Sequence, residues 1–140
     1  MTNSLAALLD GAVTILALLF FFWTGTRVGA MRGKHAIKAP ATSGHPEFDR
    51  AYRVQMNTLE QLVVFLPLLW LAAAYFRSLP YLVGALGLVW IVGRIVYAQA
   101  YMEDPAKREM GFAITILSTA GLLILAVIGM VQAFMALGAA

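Results

Sequence analysis

The sequence predicts an all-α integral membrane protein, built as a bundle of four membrane-spanning helices, and three observations lead there. Of its 140 residues, 61% are hydrophobic and only 12% charged, with a mean hydropathy of +0.81, far from the composition of a water-soluble domain. The apolar residues fall in four uncharged stretches: Gly11 to Thr26, Gln61 to Phe76, Ser78 to Gly93 and Met110 to Ala140. The basic residues gather in two connections, Arg27, Arg32, Lys34, Lys38, Arg50 and Arg53 in one and Lys107 and Arg108 in the other, whereas the opposite side has only Arg77.

Taken in order, the first helix is expected over about residues 4–30. No Lys or Arg precedes its apolar run and Asp10 sits near the start, so it is expected to be retained rather than cleaved as a secretory signal. Gly25, Gly29 and Gly33 follow at four-residue spacing, which lets helices approach closely, within one protomer or between subunits. Pro40, Ser43, Gly44 and Pro46 then oppose regular structure. The second helix is expected over about 47–76 and the third over about 79–103, joined by a tight turn with Pro80 just inside a helix start. Asp104 and Pro105 mark the next turn, and the fourth helix is expected over about 107–137. Residues 1–140 then form a single membrane domain without internal repeats. Positive-inside bias places both basic connections, 1–2 and 3–4, in the cytoplasm and both termini on the opposite side, in a bacterial inner membrane or the endoplasmic reticulum. Basic loops at a membrane meet anionic lipid head groups, so nucleic acid is not an expected partner.

A bilayer core about 30 Å thick needs roughly 20 helical residues, so the second and third apolar stretches are short unless their polar flanks enter the membrane region. Counting back from the tight turn, Glu60 lies 16 residues before Phe76 and Arg94 lies 15 after Leu79. Asn57 and Tyr97 are 19 and 18 residues away, and Arg53 and Tyr101 are 23 and 22, which gives three polar levels. Arg53, Asn57 and Glu60 share one helix face, as do Arg94, Tyr97 and Tyr101. Charges within a span face protein or a watery cavity and are paired, so Glu60 and Arg94 are a candidate ion pair, serving structure or function. There is no cysteine, which excludes disulfides and a cysteine nucleophile; any thiol chemistry must come from a ligand. His35 and His45 lie ten residues apart in the polar loop without a carboxylate cluster, so no metal is expected.

Two blocks, "FDRAYRVQMNTLEQ" at residues 48 to 61 and "WIVGRIVYAQAYMEDPAKREMG" at residues 90 to 111, resemble the MAPEG family, the membrane-associated proteins of eicosanoid and glutathione metabolism. The second block with "NTLE" is most similar to the type 3 microsomal glutathione transferases, and Arg53 with Gln55 and Asn57 also resembles the leukotriene C4 synthase branch. The resemblance implies a homotrimer of four-helix protomers, with glutathione as thiol co-substrate bound between neighbours. By motif position, Arg53, Asn57, Glu60, Tyr97, Tyr101 and Arg108 correspond to glutathione contacts on one protomer. Gln55 corresponds to a contact from the adjacent protomer, and Arg32 to a further contact. Arg108 matches the arginine credited with activating the thiol. Gln61 departs from the tyrosine of the synthase branch, which weighs against leukotriene synthesis.

The implied activity is a membrane-bound glutathione transferase that conjugates glutathione to hydrophobic electrophiles, with glutathione peroxidase action on lipid hydroperoxides. Arginine forks suit the carboxylates of the tripeptide, Glu60 suits its ammonium, and a cation beside the sulfur lowers a thiol pKa of about 8.5. The alternative is a non-catalytic lipid-binding or scaffold protein of the same family. A small transporter is a third reading, but the sequence has no inverted repeat to support it.

Overall fold

The computed structural model describes residues 2–138. A chain in lipid satisfies its peptide N–H and C=O groups by bonding them internally, and among the described residues this gives four helices and no strand. They are α1 (Thr2–Lys34), α2 (Pro46–Tyr75), α3 (Pro80–Glu103) and α4 (Glu109–Gly138), with a short 3-10 turn (Pro105–Arg108) before α4. All four are long and apolar enough to cross a membrane.

The helix ends follow from local chemistry. α1 continues to Lys34, beyond the end expected near residue 30, and its last turn holds Arg32 and Lys34, whose charge complements the negative helix terminus. Pro46 opens α2, and His45 Nδ1 accepts the Glu47 N–H at 3.3 Å, which satisfies one of the free donors of the first turn. α2 runs through Pro67 without ending. Pro80 opens α3, and the carbonyls at its far end are met from α2: Arg50 Nη1 donates to Met102 O at 3.2 Å and to Glu103 O at 3.0 Å. Asp104 Oδ1 then accepts the Ala106 N–H at 3.0 Å and starts the 3-10 turn.

α3 and α4 form the most extensive helix pair, and glycines bring them together. A Cβ on Gly93 would lie 2.9 Å from the Thr115 N, and one on Gly111 would intrude on the Tyr97 backbone. The hydroxyls of Thr115, Ser118 and Thr119 turn back to donate to carbonyls within α4, so these buried polar groups need no partner on another helix. On its other side α3 meets α1 through Gly84 and Gly87, which receive Leu9 and Val13. Of the α1 glycines, Gly25 is approached by Gln55, whereas a Cβ on Gly29 or Gly33 would meet nothing within 4 Å. Within the chain, the close approaches are therefore made by glycines of α3 and α4, whereas Gly29 and Gly33 of α1 make none.

At mid-bundle Phe65 and Trp90 stack with centroids 4.0 Å apart, surrounded by Val13, Leu69 and Leu122. Large apolar side chains such as Phe22, Val63 and Leu117 point outward, the arrangement expected where lipid surrounds the helices. The stacked pair closes the bundle below the polar residues and so sets the floor beneath them.

Candidate functional site

Asn57 is the hub of the polar cluster. Its Nδ2 donates to Glu60 Oε2 at 3.2 Å, and its Oδ1 accepts from Arg94 Nη1 at 3.0 Å. Arg94 Nη2 donates to Thr58 Oγ1 at 2.8 Å, and the Thr58 hydroxyl in turn donates a hydrogen bond to Val54 O at 2.7 Å. Arg53 Nη1 reaches Glu60 Oε1 at 3.4 Å. The Arg94 guanidinium carbon lies 4.3 Å from the centre of the Tyr97 ring, Tyr97 stacks on Tyr101 at 5.5 Å, and Arg108 sits 6.0 Å over Tyr101. Arginine and aromatic face attract in this geometry, so the four side chains form one continuous column.

Between column and α2 stripe lies a cavity of about 400 Å³, within the usual size of small-ligand sites. Arg53, Asn57, Tyr97, Tyr101 and Arg108 line it, and Glu109 and Phe112 complete its wall. Glu60 is bonded to two of the lining residues, and its side chain is 50% exposed. The arrangement offers two cations, two phenols, an amide and two accessible carboxylates, Glu60 and Glu109, to a single ligand.

The expected Glu60–Arg94 ion pair does not form. Arg94 is fully buried, and its bonds go to the neutral Asn57 and Thr58. Counting from the tight turn gave depth but not azimuth. Arg94 enters between positions 57 and 58, while Glu60 stands on the far side of Asn57 and leans toward the start of its own helix, where Arg53 lies. Asn57 thus separates the two charges and contacts both. Thr58 was missed because a lone threonine in an apolar run gives no signal of its own. Arg50, in sequence one basic residue among the six of its connection, fastens α2 to the end of α3.

Gln55, expected to reach a ligand on a neighbouring subunit, and Arg32 both lie away from this cavity. Gln55 is two residues from Arg53, so it points away from the stripe and lies against Gly25 of α1. Arg32 donates to Ala41 O at 2.9 Å and to Ile37 O at 3.4 Å, with its guanidinium carbon 4.7 Å from the centre of the Phe48 ring. It holds its own loop together.

The histidines also differ from expectation. Folding stacks the rings of His35 and His45 at 3.5 Å and brings Glu47 to both. The three offer ligand atoms within 4.8 Å of one another. However, Lys34 Nζ occupies the Glu47 carboxylate at 2.7 Å, and His45 Nδ1 is engaged as the α2 cap. The group is better matched to fastening the loop than to holding a cation.

A family model described as "MAPEG family" matches residues 10–128. Microsomal glutathione S-transferase 2 of Homo sapiens is 35% identical over 129 residues, covering 92% of this chain and 86% of the relative. A protein of uncharacterised function from Synechocystis sp. is 46% identical over 107 residues, 76% of this chain and 77% of its own length. Leukotriene C4 synthase of Bos taurus is 34% identical over 100 residues, 69% of this chain and 63% of the relative.

Proposed function

Because the chain belongs to the MAPEG family, we propose that it is a membrane-bound glutathione transferase, which conjugates glutathione to hydrophobic electrophiles and reduces lipid hydroperoxides with the same thiol. The observation that carries this reading is the convergence of Arg53, Asn57, Tyr97, Tyr101 and Arg108 on one cavity, with Glu60 bonded to its wall. Names of relatives that include glutathione S-transferase support it.

In this reading Arg53 and Arg108 meet carboxylate and sulfur charge, Glu60 takes the ammonium, and Asn57 orients the peptide. Tyr97 and Tyr101 donate hydrogen bonds from the wall. Arg108 stabilises the thiolate, and each pKa unit of that effect corresponds to about 1.4 kcal/mol. The thiolate then forms a C–S bond as the electrophile's leaving group departs with its electron pair. With a hydroperoxide it attacks the terminal oxygen, the O–O bond breaks so that the departing alkoxide takes a proton and leaves as an alcohol, and a second glutathione thiol displaces water from the resulting sulfenic acid to give the disulfide.

The reading includes a homotrimer in which Gln55 of one protomer approaches the ligand seated on the next; its position away from its own cavity supports this. Arg32, already bound by two carbonyls of its loop, contributes charge rather than grip. The two basic connections face the cytoplasm.

The test is purification in detergent, followed by measurement of the ultraviolet thiolate signal and turnover with a generic aromatic electrophile. Arg108→Ala should lower thiolate formation more than glutathione affinity. Saturable glutathione binding without turnover on any electrophile would favour the lipid-binding or scaffold alternative.

A further inference from the structure

The far end of the bundle holds a second polar feature that the glutathione reading does not use. Asp10 on α1 is 2% exposed, and among the described residues its Oδ1 has no hydrogen-bond partner. It borders a cavity of about 340 Å³, walled by Ala6 of α1, Trp70 and Ala73 of α2, and Arg77 and Pro80 at the α2–α3 turn. Asp10 Oδ1 would lie 3.0 Å from a Cβ on Gly84, which places the carboxylate about one turn inside the bundle from Pro80. A buried acceptor without a donor is costly unless a proton, a water or a ligand satisfies it, and here an open cavity adjoins it.

The chemistry of the walls narrows what that ligand is. A carboxylate that lacks a donor calls for a group bearing N–H bonds, and an indole beside it suits a cation. Arg77 is held at the rim by its Nε, which donates to Ala74 O at 3.2 Å; its charge calls for an anion, and guanidinium suits phosphate. The cavity therefore combines a buried anion and a rim cation in a protein whose outer surface is apolar. We propose that Asp10 and Arg77 form a second binding site, which takes a zwitterionic head group carrying a primary ammonium beside a phosphate, as in phosphatidylethanolamine. The ammonium donates to Asp10 and the phosphate rests on Arg77. A choline head group has no N–H to give Asp10, and a glycerol head group brings no cation.

The proposal is tested by native mass spectrometry of the delipidated protein with added phosphatidylethanolamine, phosphatidylcholine or phosphatidylglycerol. The ethanolamine lipid should be retained in preference to the other two. Asp10→Asn should weaken that retention by roughly tenfold, the scale of one charge-assisted hydrogen bond, and Arg77→Gln should weaken it less. Equal retention of all three lipids, or unchanged retention by Asp10→Asn, overturns the proposal. A second measurement needs no variant: a hydrophobic carbodiimide should modify Asp10 in the delipidated protein, as read by peptide mapping, and phosphatidylethanolamine should protect it. Modification that the lipid does not reduce, or no modification in its absence, also overturns the site. Competition by soluble phosphoethanolamine at concentrations similar to the lipid would support the same head-group chemistry with an aqueous source.

Discussion

The two ends of this bundle bury a charge in opposite ways. Arg94 is long, carries several donors, and finds an amide and a hydroxyl on successive positions of the facing helix. Asp10 is short, accepts when ionised, and is packed against Gly84, with no donor to Oδ1 among the described residues. Helix packing is not the cause, because both ends use the same device: Gly111 seats on the Tyr97 backbone and Gly129 on that of Tyr75 and Phe76. The contrast is one of supply. One end brings partners to both terminal nitrogens of its buried charge and leaves only Nε without one among the described residues, whereas the other brings Oδ1 no donor at all.

The most severe way to break this contrast is Arg94→Ala. It removes a large buried side chain and strips Asn57 Oδ1 of its donor, so thermal unfolding in detergent should report a loss of about 3–5 kcal/mol. A loss below about 1 kcal/mol would mean that Arg94 supports nothing. Next comes Arg108→Ala, which should reduce turnover on the order of a hundredfold, the scale of removing one donor to a developing anion, with little change in unfolding. Glu60→Gln sharpens the division between binding and folding. Its bond to Arg53 is half exposed, so stability should move by less than about 1 kcal/mol, while glutathione affinity by calorimetry should fall by roughly tenfold. The smallest effect is expected at the other end. Asp10→Asn should leave turnover intact and shift unfolding by within roughly 1 kcal/mol, toward stability, because an amide is cheaper to bury than an unpaired carboxylate.

The four helices were legible because lipid leaves the chain few alternatives: apolar runs of this length, broken at Pro46, Pro80 and Pro105, allow little else. The polar stripe on α2 was legible from spacing alone, since Arg53, Asn57 and Glu60 share a face, as their mutual bonds bear out. What periodicity could not give was the rotation of α3 against α2. That rotation decides that Arg94 meets Asn57 and Thr58 rather than Glu60. The loop was less legible still, because the approach of His35, His45 and Glu47 depends on how the chain returns between α1 and α2, which no helical period describes. Asp10 is visible in the sequence only as a charge near the start of the first apolar run, and its lack of a donor is a property of neighbours that only folding assembles.

The reach of α1 has a consequence of its own. Its 33 residues extend about 50 Å at 1.5 Å each, against a hydrocarbon layer of about 30 Å. Unless steeply tilted, such a rod stands proud of the oil, and its basic last turn, with Arg32 and Lys34, suits the zone where two immiscible phases touch. In the proposed reaction, a water-borne thiol and an oil-borne reactant would meet at such a boundary, each arriving from its own solvent without crossing the other's.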